Sequence, residues 1–222
     1  MAVNWNEYLA RYQSQRGGHF FCGLDSYFDS QLVLTQGEKT PLIILVDAVP
    51  AGRTENHAIR ARALVKLNGE YSLLIRAKRL VGSGVKSVLS AVGAGEDYGY
   101  PEVTRDRLIS TNNKSFTKLV LGDLNLRNAL LANKDAVLRV GLSDRQDGWH
   151  VVEVSDHNFD GGLSGNSPWI SDTMRKAQEA AYTKAENREG LMKAASEHFD
   201  RQLDGMLDVL RAACQAVTTW RM

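Results

Sequence analysis

Cysteine is nearly absent from this chain: Cys22 and Cys214, close to opposite ends, are the only two in 222 residues. One disulfide could join them, but no disulfide framework can be built, and so sparse a count fits a reducing compartment. No stretch approaches the run of about 18 apolar residues needed to span a bilayer. The opening MAVNWNEYLARYQSQRGG lacks the apolar core of a signal peptide. The expected compartment is therefore the cytoplasm. A strong charge of one sign is missing too. A formal net charge of +1 argues against the whole molecule being a nucleic-acid or membrane binder, while leaving room for a local patch. There is no internal repeat and no low-complexity tract.

What remains is the composition of a soluble globular protein, 43% hydrophobic and 24% charged. The length suits one large domain, or one domain with an appendage, and can bury a core without covalent staples. Near the N-terminus, Asn4 and Glu7 form an asparagine version of the capping box. Trp5, Tyr8, Leu9 and Tyr12 follow at helical spacing until Gly17-Gly18 stops the helix. QLVLTQ (31–36) and PLIILVD (41–47) read as strands.

The clearest alternation lies in AIRARALVKL and YSLLIRAKRL. A two-residue turn at Asn68-Gly69 would mix polar and apolar faces across a hairpin. A three-residue loop at 68–70 instead pairs Leu67 with Tyr71, Val65 with Leu73 and Ala63 with Ile75, leaving one face wholly apolar. That hairpin predicts a basic opposite face, with Arg62 against Arg76, Arg60 against Lys78, and Lys66 nearby. Like charges across a strand pair repel. An acidic cover is therefore expected, with the C-terminal residues Glu179, Glu186, Glu189, Glu197, Asp200, Asp204 and Asp208 as its candidates, and a face open to solvent and screened as the alternative.

Downstream, VKSVLSAV (85–92) reads as a helix, FTKLVLGD (116–123) as a strand and LNLRNALLAN as a helix capped by Asp123. AVLRVGLS and WHVVEV read as strands. After Pro168 the pattern is helical to the end, with Gly190 as the expected break between two helices. The predicted fold is α+β. An antiparallel-leaning mixed sheet with short helices occupies 1–165, and a C-terminal helical hairpin over 168–222 packs on one face.

Few residues suggest chemistry. Asp156, Asn158 and Asp160 match the first three ligand positions of a calcium loop, with Gly161 at its turn. Ser167 stands where the bidentate Glu should be, and a strand rather than a helix precedes the loop. A plain turn leads here, with calcium as the one candidate ion. Gly82, Gly84 and Lys86 imitate a P-loop. Val85 separates the second glycine from the lysine, so at most an anion would meet the backbone amides. Cys22 lies near His19, but Phe20 and Phe21 suggest a buried thiol. His57, His150, His157 and His198 show no ligand spacing, and Ser164 lacks the second glycine of a nucleophile elbow.

The longest periodic signal is the C-terminal stripe of Met192, Phe199, Leu203, Met206, Leu210, Val217 and Trp220. It steps by threes and fours or their sums, as a coiled-coil seam does, and equally as an amphipathic helix packed on its own chain. No residue set names a family or a cofactor. The expectation is a non-enzymatic interaction or scaffold protein, acting through this helix on a protein partner or another copy of itself. Nucleic acid and membrane are not expected as partners. A cation- or anion-binding module is the alternative, and an unrecognised hydrolase stands behind both.

Overall fold

A computed structural model describes residues 5–22, 30–37, 41–50, 57–78, 97–144, 147–156 and 185–220. The chain divides into two compact units: residues 1–34, 46–59 and 157–204, and residues 35–45, 60–156 and 205–222. The elements are α1 (Trp5–Arg16), β1 (His19–Phe21), β2 (Gln31–Gln36), β3 (Leu42–Pro50), β4 (His57–Lys66), β5 (Leu73–Ala77), α2 (Pro101–Thr104), β6 (Arg107–Thr111), α3 (Lys114–Leu121), α4 (Leu124–Ala132), β7 (Ala136–Leu142), β8 (Trp149–Asp156) and α5 (Ala185–Thr219). The strands form one sheet in the order β1-β2-β3-β4-β8-β7-β5-β6. The pairs β1–β2, β5–β6, β5–β7 and β7–β8 are antiparallel. The fold is therefore α+β with a largely antiparallel sheet, as the order of elements predicts.

In the first unit, Tyr8, Leu9 and Tyr12 form the buried stripe of α1. The helix ends where Gly17 takes φ +81°, a left-handed conformation that favours glycine. Gly18 has a second reason to lack a side chain: a Cβ there would lie 2.6 Å from the carbonyl oxygen of Val33 on β2. The part of α5 in this unit meets α1 through the Phe199 ring, stacked on Tyr8 at 5.0 Å between centroids.

In the second unit, β4 buries Ala61, Ala63 and Val65 at alternate positions, and β5 buries Leu73, Ile75 and Ala77. The alternation is as the sequence predicts, but the hairpin is not. β4 and β5 do not pair; β8 and β7 lie between them. The pairings of Arg62 with Arg76 and of Arg60 with Lys78 are therefore corrected. Period-two alternation fixes which face a side chain takes, not which strand lies beside it.

What carries the chain across is visible in the loop. The amide of Leu67 donates to Gly148 O at 2.9 Å, and that of Tyr71 donates to His150 Nε2 at 3.1 Å. The Tyr71 ring packs edge-on to Phe116 at 4.7 Å, and its hydroxyl bonds Thr117 at 2.8 Å. These contacts draw the start of β5 towards α3 and satisfy amides that a tight hairpin would have used.

Residues 116–121, expected in a strand, belong to α3. Asn113 caps the helix by accepting the Phe116 amide. Phe116, Thr117, Val120 and Leu121 are buried at spacings of one, three and one, the signature of a helix face. The β-branched and aromatic residues had suggested a strand, and the cap overrides that propensity. α4 begins as predicted, with Asp123 accepting from the Leu126 amide. Finally, α5 runs unbroken through Gly190. A helical glycine costs only about 1 kcal/mol, and no proline is present to stop the turn.

Candidate interaction surface

Within the second unit, the residues alternating with the buried rows of β4, β5, β7 and β8 form the opposite face of the sheet. On β4 these are Arg60, Arg62, Leu64 and Lys66; on β5, Leu74 and Arg76. Arg139 on β7 stands opposite both Leu74 and Glu153 in the sheet register. Glu153 lies between two guanidiniums, 3.6 Å from Arg60 and 4.0 Å from Arg139. The expected acidic cover for the β4 arginines thus begins with one carboxylate on the adjacent strand. Asp200 and Asp204 are engaged elsewhere, with Arg11 and Arg16 of α1.

Among the described residues, Lys66 and Arg76 have no ion-pair partner, and the Arg139 side chain is 64% exposed. Leu64, two positions before Lys66 on β4, is 42% exposed, and Ile43 on the neighbouring strand β3 is 61% exposed. Lys78, grouped with this face from the sequence, sits apart from it. Its ammonium donates to Thr104 O and Arg105 O, at 3.3 and 2.6 Å, beyond the end of α2.

The other sequence-predicted sites fare differently. Asp156 is the buried last residue of β8; Asn158 and Asp160 lie outside the described residues, as do Gly82, Gly84 and Lys86. Among the described residues, no three His, Cys, Asp or Glu side chains are grouped to hold a metal ion. Cys22 is exposed rather than buried; it follows β1, a three-residue strand at the sheet's edge. Cys214 is buried, and burial pushes its thiol up to about 12. Both cysteines are free. On α5, Phe199, Leu203, Met206, Leu210 and Val217 are all buried within the chain itself, while Trp220 is 44% exposed. The side chain of Met192 lies outside the description. The seam is thus occupied internally along these five positions.

His150 has a role that sequence could not assign. It is fully buried, and its Nδ1 lies 3.0 Å from Gly148 O while Nε2 accepts the Tyr71 amide. Since a carbonyl can only accept, Nδ1 carries the proton. Both nitrogens are thereby committed to the backbone, and no proton is left to exchange with a substrate.

A cavity of about 320 Å³ opens between β5, α2, β6 and α4, with Ala77, Val103 and Leu130 as its apolar wall. The buried Arg107 beside it donates to the carbonyls of Leu130, Asn133 and Ala136. That clamp ties β6 to the end of α4. The cavity's lining also carries the charged residues Lys78, Glu102, Asp106 and Lys134.

No protein-family model matches the chain, and no curated protein matches it. Among solved structures, it is similar to the crystal structure of the mycobacterial trehalose monomycolate transport factor A, TtfA. The likeness has 10% sequence identity and a TM-score of 0.46, and covers 96% of this chain and 94% of that one. At that identity and score it says nothing about activity. No described helix is long and apolar enough to cross a membrane.

Proposed function

We propose that this is a non-enzymatic interaction or scaffold protein that receives a protein partner on the exposed face of strands β4, β8, β7 and β5. The observation that supports this reading is the coexistence of exposed Leu64 with Lys66, Arg76 and Arg139 on one sheet face. A sheet face that serves only as a surface carries scattered apolar groups and charges of both signs. Apolar groups set among cations fit a contact patch better. Binding through the C-terminal helix would first have to withdraw Phe199, Leu203 and Leu210 from the interior. A cytoplasmic setting belongs to the same proposal, since so sparse a cysteine count fits a reducing compartment.

The test is site-specific photo-crosslinking in cells, with the reactive side chain placed at Leu64, at Lys66 or, as a control, at Glu197 on α5. A discrete product from the sheet positions alone is expected. Mass spectrometry should identify it, and the complex should re-form from purified components and be lost in Leu64→Asp. Equal products from Glu197, or none from Leu64 and Lys66, would remove the sheet face from consideration. Sedimentation of the purified chain shows whether the partner is a second copy.

A further inference from the structure

We propose that Asn68 is a site of spontaneous modification: it deamidates through a cyclic imide and gives the chain a new carboxylate in the loop between β4 and β5. Asn68-Gly69 is the dipeptide that suggests a tight hairpin turn, and the sheet leaves it without that task, since β4 and β5 do not pair. Asn-Gly occurs once in the chain, and asparagine is among the chemically labile residues.

The reaction asks for three conditions at one peptide bond. The asparagine amide has to be open to water and unheld. Residues 68–70 are exposed, and among the described residues the Asn68 side chain has no hydrogen-bond partner. The attacking nitrogen has to be free, and the amide of Gly69 donates to no described residue. No side chain should crowd that nitrogen. Gly69 has none, and its φ of +113° disfavours any residue that carries one.

Other asparagines are held in place. Asn112 accepts the Ser72 amide and donates to Glu70 O. Asn113 caps α3, and Asn133 donates to Ala129 O. Asn125 and Asn128 lie inside α4, where the amides that follow them are tied into the helix and its cap.

In the first step the Gly69 nitrogen attacks Cγ of Asn68. A bond from that nitrogen to Cγ forms, the Cγ–Nδ2 bond breaks, and the Gly69 proton leaves with Nδ2 as ammonia. Water then opens the five-membered imide. Opening at the side-chain carbonyl gives aspartate on an unaltered main chain; opening at the main-chain carbonyl gives isoaspartate. One water is consumed, one ammonia is released, and nothing is oxidised or reduced.

The two products fit the fold unequally. The loop is anchored on both sides, by the Leu67 amide on Gly148 O at 2.9 Å and the Tyr71 amide on His150 Nε2 at 3.1 Å. Aspartate leaves the path between those anchors unchanged. Isoaspartate routes the chain through the side-chain carbon and lengthens it, which strains both bonds. Either product adds a negative charge that cancels the chain's formal net charge of +1.

The full chain, folded or in urea, is incubated at mildly alkaline pH and digested with trypsin. Cleavage after Lys66 and Arg76 releases the peptide 67–76, in which Asn68 is the only side-chain amide. In the folded chain that peptide should gain the mass of OH in place of NH2 roughly tenfold or more faster than the peptides holding Asn125 and Asn128, a barrier lower by about 1.4 kcal/mol. The rate should climb with pH, because the deprotonated amide is the nucleophile. Asn68→Gln, which keeps the backbone and an exposed amide but requires a larger ring, should suppress the conversion. The isoaspartate chain, separated by ion exchange and reversed-phase chromatography, should melt below Asn68→Asp.

Conversion in urea with none in the folded chain would mean that the anchored loop protects Asn68, and the proposal is wrong. A folded-state rate no higher than at Asn125 and Asn128 overturns it too, as does conversion undiminished in Asn68→Gln. Equal melting of the isoaspartate chain and Asn68→Asp overturns the strain assigned to the anchors.

Discussion

Charged side chains are used in two ways in this molecule. Between α1 and α5 in the first unit, each cation meets its own acid. Arg11 donates to Asp200 at 2.7 Å and to Ser196 O at 2.8 Å, while Arg16 and the Tyr12 hydroxyl reach the two oxygens of Asp204. Burial raises the Asp200 carboxyl above its ordinary pKa, and Arg11 opposes that rise. On the sheet face of the second unit, one carboxylate, Glu153, is shared between Arg60 and Arg139, and Leu64 stands exposed on the same face. Matched charges with an aromatic stack beneath them hold two helices together. A shared, longer-range contact binds two side chains more loosely than one acid set against one cation.

That contrast can be broken from either side. Phe199→Ala, at the stack on Tyr8, should cost about 3–5 kcal/mol through lost burial and a cavity. Urea denaturation measures it, and a loss under about 1 kcal/mol would mean that the stack does not hold the helices. In the second unit the stability should come from beneath the face. Tyr71 is buried there, and burial raises its hydroxyl from 10.0 to about 12. The folded chain therefore keeps its proton where the unfolded chain releases it. Stability is unaffected below pH 10 and falls as the pH rises from 10 towards 12, by on the order of 2–3 kcal/mol. Tyr71→Phe should flatten that alkaline slope; a slope left unchanged would place the titration elsewhere.

A smaller effect is expected at Asp204. Removing it in Asp204→Ala takes away an acceptor of the Tyr12 hydroxyl and should cost about 1 kcal/mol, the half-exposed Arg16 pair adding little. Least of all should come from Arg76→Gln or Arg139→Gln. Thermal unfolding should register changes within about 0.5 kcal/mol, even where partner binding is lost. A large destabilisation there would make the sheet-face arginines structural and erase the distinction.

The parts of the fold legible in sequence are those set by local chemistry. The Asp123 cap of α4, the glycine stop after α1 and the buried rows of β4 and β5 all follow from residues within a few positions of each other. α3 was misread because its aromatic and β-branched composition resembles a strand, whereas the deciding signal was the cap at Asn113. Pairing was the larger failure. The bonds that separate β4 from β5 come from Gly148 and His150, about eighty positions downstream of Leu67 and Tyr71, and no local pattern announces them. The basic residues of the sheet face were legible as a set, except Lys78. Their true neighbour, Glu153, was not, since it depends on that same pairing.

The placing of β8 between β4 and β7 also has a consequence for the order in which the molecule can be made. A nascent chain released as far as Ser143 already contains β4, β5 and β7, but the strand that joins β4 to β7 has yet to emerge. Until residues 149–156 leave the ribosome, one flank of each strand is an open edge, prone to pair wrongly. Arg60 and Arg139 wait for their shared carboxylate over the same interval. Their mutual repulsion then discourages β4 from closing directly on β7, so the two arginines help keep a place in the sheet open until Glu153 arrives.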